Sequence, residues 1–391
     1  MTFDFDRPIE RRGTGCVKYD FAAEMGKPLD ALPLWVADMD FAAPPAVTEA
    51  LAGAVAHGIF GYSGAKDDYF EAVAAWFDTR FGWRPDKSWL IKTPGVVFAL
   101  ALAVRTLTEP GDAVLIQTPV YYPFSRVVLD NGRRLVENPL RYADGRYTID
   151  FEDLEEKLEK QQVKMAILCS PHNPVCRVWT RQELARMGEL FARYGVYVIS
   201  DEIHCDFAFP EHPHTVFLQA CPQLAERTVI CTAPSKSFNL AGLQTSNIFV
   251  PSPEIRKKFT GEMSRMSCNG VNALGLVAAK AAYSGGGEWL DACKVYMREN
   301  LDSLRSFLQE RLPRIRLVEP EGTYFAWLDC SELHMTWQEL DDLVLNRAKV
   351  WLDGGHMFGT GGDAFQRVVL ACTRKTLTEA LTRLEGAVNA L

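Results

Sequence analysis

Strand-like and helix-like segments alternate along the chain from about residue 89 to residue 250, and this alternation limits the possible folds more than any other feature. Several strand-like segments are almost continuously apolar, which is typical of strands covered by helices on both faces of a sheet. The expected strands are 89–92, 113–117, 134–137, 163–169, 196–199, 228–232 and 246–250. The pattern predicts an α/β fold: a mostly parallel sheet of seven strands sandwiched by helices.

Helix signals and chain length indicate a second, smaller domain. Thr180 and Glu183 have the spacing of a capping box and predict a helix over 181–194. The run Gly285 to Gly287 precedes a long helical stretch, a strand at 323–328 and a final helix from about Leu377. A chain of 391 residues is long enough for two domains. We expect residues 46–285 to form the large domain. Residues 1–45, an N-terminal arm, and 286–391 would form a smaller α+β domain.

Composition and charge exclude several classes of protein. The net charge of -8, with no basic cluster, argues against a nucleic-acid-binding surface. The first eight residues lack the basic flank and apolar core of a signal peptide, and no apolar run reaches the roughly 18 to 20 residues of a membrane span. The ten cysteines are scattered and include no Cys-x-x-Cys pair, so we expect reduced thiols and no metal site. These features predict a cytoplasmic enzyme without a membrane or nucleic-acid partner.

Three polar residues follow predicted strands. Asn173 comes after strand 163–169, Asp201 after strand 196–199, and Lys236 lies between the last two strands. Taken singly, each has an ordinary interpretation as a turn residue, a helix cap or a surface charge. Open α/β sheets, however, bind ligands at such strand ends. An amide for a phenolate oxygen, a carboxylate for a pyridine nitrogen and an amine for an aldehyde together predict a pyridoxal 5'-phosphate site.

A phosphate group needs an anion site, and the segment Gly95, Val96 and Val97 can supply one. A predicted strand ends there and a helix begins, so free backbone N–H groups and the helix dipole would face an anion. A plain strand-to-helix turn is the alternative interpretation of this segment. Ser235, next to Lys236, can add a hydroxyl donor.

Six ordered segments carry a resemblance to a known family. They are 33–41, 61–62, 93–97, 171–174, 201–204 and 234–239. In these segments the chain resembles the fold-type I pyridoxal phosphate enzymes of the class I/II aminotransferase family. Within that family it is similar to the cystathionine β-lyase (C-S lyase) subgroup, which includes a maltose-regulon modulator protein. The resemblance extends over nearly the whole chain.

The resemblance implies roles for further residues. Tyr121 would stack on the cofactor ring and join Lys236 and Asp201 as a catalytic residue, although Tyr122 could take its place. Tyr62 would reach the phosphate of the neighbouring subunit, which implies a homodimer. Arg374, after an expected strand at 368–372, would bind the substrate α-carboxylate. The resemblance also suggests two pocket walls, Trp35 and Tyr324.

Three positions differ from the commoner aminotransferase pattern. His204 stands where those enzymes usually have a tyrosine that binds the cofactor oxygen, and Gln244 stands where they usually have a phosphate-binding arginine. Both differences resemble the lyase subgroup. Cys176 replaces a usual glycine, which raises the question of a left-handed backbone at this position.

The expected reaction is α,β-elimination from L-cystathionine or a related cysteine S-conjugate, giving a thiol such as homocysteine, pyruvate and ammonia. Lys236 would carry the cofactor and then act as general base on the α-proton. Two alternatives remain at this point. One is an aminotransferase with the same cofactor machinery, and the other is a regulatory protein that acts through protein contact. The sequence leaves the thiol part of the substrate open.

Overall fold

The computed structural model describes residues 3–391. The strands are β1 (Leu32–Pro33), β2 (Leu90–Thr93), β3 (Ala113–Ile116), β4 (Arg134–Glu137), β5 (Arg141–Ala143), β6 (Arg146–Thr148), β7 (Val163–Cys169), β8 (Tyr197–Asp201), β9 (Thr228–Thr232), β10 (Ser246–Phe249), β11 (Arg316–Val318), β12 (Phe325–Asp329), β13 (Val350–Trp351), β14 (Asp353–Gly354) and β15 (Phe365–Val369). The helices are α1 (Val17–Asp20), α2 (Pro45–His57), α3 (Asp67–Phe81), α4 (Val96–Leu107), α5 (Pro123–Leu129), α6 (Phe151–Gln161), α7 (Arg181–Arg193), α8 (Phe217–Ala220), α9 (Pro234–Ser237), α10 (Pro253–Arg265), α11 (Ala273–Gly285), α12 (Gly287–Arg311), α13 (Trp337–Asp341) and α14 (Arg374–Asn389).

The large sheet has seven strands in the order β2-β10-β9-β8-β7-β3-β4. Strand β10 is antiparallel to both of its neighbours, and the other pairs are parallel. Almost every residue of β7, β8 and β9 is buried, because helices cover both faces of the sheet. The prediction of a mostly parallel seven-stranded sheet is confirmed, and each strand lies within two residues of its predicted bounds.

Two predicted boundary signals have a visible physical basis. Thr180 and Glu183 form the expected capping box at the start of α7. Gly286 separates α11 from α12, and a Cβ atom there would lie 2.6 Å from the Ala282 carbonyl oxygen and 2.7 Å from the ring of Phe238. Only glycine fits this close approach, so one helix ends and the next begins where the glycine run predicts.

The smaller sheet is antiparallel, with the order β11-β12-β15-β14. The N-terminal segment lies beside it. Strand β1 pairs with β13 in a separate two-stranded sheet, and the Val369 N–H of β15 donates to the Leu34 carbonyl oxygen. Leu34 also packs in a buried cluster with side chains of α12 and α14. These contacts accord with an N-terminal arm that belongs to the smaller domain, while the domain limits 1–45, 46–285 and 286–391 stay a prediction.

The topology brings the ends of several strands to one edge of the large sheet. The parallel strands β7, β8 and β9 all end there, and α9 follows β9 directly. Strand β2 runs in the same direction as β9, because both are antiparallel to β10. The N-terminus of α4 therefore lies at this edge too, which is where open α/β sheets place ligand sites. Within residues 3–391, none of the helices is both long and apolar enough to cross a membrane.

Candidate active site

A cavity of about 180 Å³ lies at this edge of the large sheet. Of the residues singled out in the sequence, those that line the cavity are Gly95, Val96, Val97, Tyr121, Asn173, Asp201, His204, Ser235, Lys236 and Gln244. They come from six separate parts of the chain, and the strand ends bring most of them together.

Lys236 is held by a backbone carbonyl. Its Nζ donates a hydrogen bond of 2.8 Å to the carbonyl oxygen of Ala37, which also lines the cavity. Burial, together with the positive charge of Arg367, lowers the pKa of Lys236 to about 8. The amine is therefore neutral far more often than an ordinary lysine near neutral pH, which makes it a good nucleophile and base.

Asp201 is a buried carboxylate at the end of β8. One oxygen accepts a 3.1 Å hydrogen bond from the backbone N–H of Ile203, and no ion pair with Asp201 occurs among residues 3–391. Burial raises the pKa of Asp201 to about 7, against the favourable effect of the Ile203 N–H and of Lys236. A cation in the cavity would restore the ionised form of this carboxylate.

The N-terminus of α4 forms an open anion site. Gly95 precedes the helix without a side-chain cap, and the backbone N–H groups of Val96, Val97 and Phe98 donate to no group within residues 3–391. A Cβ atom at Gly95 would meet no heavy atom within 4 Å, so the space in front of these donors is open. Free N–H groups and the helix dipole favour an anion such as a phosphate here.

Asn173 and Tyr121 lie next to each other in the cavity wall. The Tyr121 N–H donates to the Asn173 carbonyl oxygen over 3.0 Å, and the Asn173 side-chain oxygen accepts a 2.8 Å hydrogen bond from Arg367. The amide N–H groups of Asn173 remain available as donors. Burial raises the pKa of Tyr121 to about 12, so this ring is neutral. Tyr121, and not Tyr122, lines the cavity.

His204 is a buried, neutral imidazole. Its ring packs against the edges of Tyr324 and Phe325, and burial holds the pKa of His204 well below its usual value. Its Nδ1 atom has no hydrogen-bond partner within the described chain. A buried polar atom without a partner calls for an explanation, and the residue that carries it lines the cavity.

Two of the positions that differ from the aminotransferase pattern have left-handed backbones. Gln244 lines the cavity with φ 48°, and Cys176 has φ 59°. The question that the sequence raised at Cys176 is thus answered, because the cysteine keeps the left-handed backbone open to glycine. Its buried thiol donates to the Pro174 carbonyl oxygen over 3.1 Å. A non-glycine residue in this region costs about 1 to 2 kcal/mol, which the surrounding packing must offset.

Arg374 requires a correction. It is the first residue of α14, and its guanidinium donates to Asn300 over 2.6 Å and to Ser303, away from the cavity. The predicted strand at 368–372 is displaced, because β15 covers Phe365–Val369. The arginine near the cavity is Arg367, within that strand and 2% exposed. A charged residue inside an apolar strand is unusual unless it is paired, and this was the sequence signal for Arg367.

The remaining predicted residues lie around the cavity or away from it. The Tyr324 hydroxyl donates to the Ala37 carbonyl oxygen over 3.0 Å. Trp35 stacks on Trp351 with ring centroids 4.4 Å apart, and its carbonyl oxygen accepts from Arg367. Tyr62 is fully exposed in a surface depression outside the cavity of this single chain.

Comparison with known proteins identifies the family. The family described as "Aminotransferase class I and II" matches residues 30–384. The chain belongs to this family. The predicted family and the predicted fold are both confirmed, and the site described above lies within the matched residues.

Several members of the family are similar over their full length. Cystathionine beta-lyase PatB of Bacillus subtilis is 44% identical over 99% of this chain and 100% of that protein. Protein MalY of Escherichia coli is 34% identical over 100% of each chain. The structure of cystalysin from Treponema denticola, which contains a pyridoxal 5'-phosphate cofactor, matches with a TM-score of 0.96 and 37% identity, over 100% of both chains.

Proposed function

We propose that the protein is a pyridoxal 5'-phosphate-dependent C-S β-lyase that acts on L-cystathionine or a related cysteine S-conjugate. The observation that carries this proposal is the arrangement of three groups in one cavity. A lysine amine with a lowered pKa, a buried carboxylate without a cationic partner and an open helix N-terminus match the aldehyde, the pyridine nitrogen and the phosphate of the cofactor.

The cavity residues divide among the parts of the cofactor. The N–H groups of α4 and the Ser235 hydroxyl would hold the phosphate, and Asp201 would pair with the ring nitrogen. Tyr121 would cover the ring face, and the amide of Asn173 would donate to the phenolate oxygen. When bound, the cofactor supplies an electron sink for negative charge on the substrate α-carbon.

The proton transfers fall to Lys236. Because its pKa is about 8, the amine can take the substrate α-proton near neutral pH and then give a proton to the sulfur that leaves the β-carbon. The Ala37 carbonyl holds the amine in place. Arg367 would bind the α-carboxylate in the role first expected for Arg374, since its guanidinium touches Asn173 in the cavity wall.

Elimination is favoured over amino transfer by two lines of support. Cystathionine beta-lyase PatB is 44% identical over nearly the whole chain, whereas the aspartate aminotransferase of Pyrococcus horikoshii is 24% identical. His204 and Gln244, which both line the cavity, differ from the aminotransferase pattern. Amino transfer stays the alternative function, because the machinery for the α-proton is shared. A regulatory role through protein contact is the further alternative, suggested by the similarity to Protein MalY.

We also propose a homodimer in which Tyr62 completes the phosphate site of the partner subunit. Tyr62 and its neighbours Ile59 and Phe60 are exposed, and such apolar residues at a loop usually mark an interface. A cytoplasmic location is supported by the ten cysteines, none of which is paired. Sedimentation of the purified protein would test the dimer. Weaker phosphate binding by Tyr62→Phe would test the role of Tyr62 in the partner's site.

The experiment that tests the function is product analysis. The holoenzyme is incubated with L-cystathionine, L-cystine, L-cysteine and S-methyl-L-cysteine, with and without an added 2-oxo acid. Without the 2-oxo acid, the proposal predicts pyruvate and the released sulfur compound in equal amounts. That compound is homocysteine from L-cystathionine, thiocysteine from L-cystine, hydrogen sulfide from L-cysteine and methanethiol from S-methyl-L-cysteine. Amino transfer that strictly requires the 2-oxo acid would establish the alternative.

A further inference from the structure

The guanidinium of Arg367 packs against two aromatic rings and donates hydrogen bonds from both of its Nη atoms. The rings of Phe325 and Phe358 cover it, with centroids 4.4 and 5.0 Å from the guanidinium carbon. Its Nη1 donates to the Asn173 side chain, and its Nη2 donates both to the Trp35 carbonyl oxygen over 3.0 Å and to the carboxylate of Asp353. Its Nε has no partner within the described chain. A ligand can therefore reach this arginine only along its edges.

Hydrogen bonds to other groups already occupy both edges of the Arg367 guanidinium. A carboxylate that binds arginine through two parallel hydrogen bonds uses Nη2 together with either Nη1 or Nε. Each of the two Nη2 hydrogens belongs to one of these edges, and Asp353 and Trp35 accept one each. A substrate α-carboxylate can thus form the two-bond contact only if it displaces Asp353 or the Trp35 carbonyl. Of these two groups, Asp353 is the one that, like the substrate group, is a carboxylate.

Asp353 has free space beside it. It is 4% exposed on β14, opposite Arg367 on β15, and it lines a second cavity of about 340 Å³. Lys27 and Asp341 line that cavity, and their charges have opposite effects on Asp353. Tyr121 and Tyr122, both neutral, are the other titratable groups that sense its charge.

We propose that Asp353 is an internal competitor for the substrate α-carboxylate and sets how tightly Arg367 binds it. This inference rests on the proposed function, in which Arg367 is the carboxylate-binding residue. In the free enzyme Asp353 neutralises Arg367, and the incoming carboxylate must take over that charge. When Asp353 is neutral, Arg367 lacks an anionic partner in its buried site and gains more from the substrate.

The competition between Asp353 and the substrate carboxylate should weaken as the pH falls. Burial raises the pKa of Asp353, and the neighbouring Arg367 opposes that rise only in part. As the pH falls through this raised pKa, Asp353 takes up a proton and no longer competes as an anion. Carboxylate binding should therefore tighten toward acid pH, provided that the ligand has no other group that titrates in this range.

The test uses 3-(methylthio)propanoate, a carboxylate with a thioether but no amine, so that it binds without entering the reaction. Its Kd for the holoenzyme is measured by calorimetry at several pH values for the wild type, Asp353→Asn and the control Asp341→Asn. Asp341 lines the same second cavity, and the structure gives it no contact with Arg367. We expect Asp353→Asn to bind about tenfold more tightly at pH 8 and to lose most of the pH dependence. Asp341→Asn should keep the wild-type Kd at pH 8 and keep the pH dependence, with its midpoint at lower pH because Asp341 no longer raises the pKa of Asp353.

An unchanged or weaker Kd in Asp353→Asn would overturn the proposal, because a carboxylate that only positions Arg367 gives that result. If Asp353→Asn does not fold, the wild-type profile decides, and a Kd that does not tighten toward acid pH overturns the proposal. Arg367→Lys should weaken binding at least tenfold. Full binding by Arg367→Lys would place the failure in the proposed function and not in the competition.

Discussion

Lys236 and Tyr324 donate hydrogen bonds to the same atom, the carbonyl oxygen of Ala37, over 2.8 and 3.0 Å. Ala37 precedes Asp38 and Asp40, whose carboxylates are held by Arg11 and Lys18 of the N-terminal arm. The position of the reactive amine therefore depends on a segment about 200 residues away in sequence, which the arm fixes.

Replacing Tyr324 by phenylalanine should lower turnover. The change removes one hydrogen bond to Ala37, worth about 1 kcal/mol, and lets the carbonyl that holds Lys236 move. We expect a loss of roughly fivefold in kcat. Tyr69→Phe is the matched control, because it removes the buried hydroxyl bond to Asn247 outside the cavity. Equal kcat values for the two variants would show that the shared carbonyl does not matter.

Replacing Lys18 by methionine should destabilise the protein strongly. Lys18 is fully buried, and its Nζ lies 3.0 Å from both oxygens of Asp40. Removing Lys18 leaves Arg11 as the one cation for the two carboxylates of Asp38 and Asp40, so one negative charge stays uncompensated. Such a buried uncompensated charge costs about 3 to 5 kcal/mol. Urea unfolding measures the free energy, with Lys160→Met in the exposed pair with Glu156 as a control that should change little. A similar stability for both variants would argue against a fixed arm.

Asp201→Asn should keep the cofactor bound yet slow removal of the α-proton at least about a hundredfold, or roughly 2.7 kcal/mol. The change preserves shape but removes the negative charge that would keep the pyridine nitrogen protonated. Exchange of the substrate α-hydrogen with deuterated solvent measures this step directly. Asp206→Asn, a buried carboxylate bonded to Trp76 and Ser237, should not slow the exchange. Near-normal exchange in Asp201→Asn would mean that Asp201 only accepts the Ile203 N–H in the turn after β8 and has no role toward the cofactor.

The pKa of Lys236 predicts a pH profile for cofactor uptake. Only the neutral amine attacks an aldehyde, and with a pKa of about 8 roughly one-tenth of Lys236 is neutral at pH 7. The rate at which the apoprotein takes up pyridoxal phosphate should rise with pH and level off above about 8. Because Arg367 lowers this pKa by charge repulsion, Arg367→Gln should move the midpoint to higher pH. Stopped-flow absorbance at several pH values would show the shift, and an unmoved midpoint would contradict it.

Most of the large sheet could be predicted because its strands are buried on both faces. Strands β4, β7 and β9 have the predicted bounds, since their apolar runs end at clear turn residues. The residues at the strand ends also meet as expected, because parallel strands end at one edge.

The smaller domain was harder to predict. The apolar run continues past β15 to Cys372, although the pairing with β12 ends at Val369, so the expected strand was displaced toward α14. Because of that displacement, the sequence pattern indicates Arg374, and not Arg367, as the residue that binds the substrate α-carboxylate. Burial of residues 370–372 comes from contacts with the N-terminal arm and α12, and such tertiary contacts leave no local periodicity in the sequence.

The most direct test of the account is to map where the cofactor becomes attached. The apoprotein is incubated with pyridoxal 5'-phosphate, reduced with borohydride, digested and analysed by mass spectrometry. We predict modification of Lys236 and not of Lys92, a half-buried lysine whose pKa burial also lowers but which does not line the cavity. Lys236→Ala should abolish both the modification and the release of pyruvate from L-cystathionine. Modification at another lysine, or full pyruvate release by Lys236→Ala, would contradict the central claim.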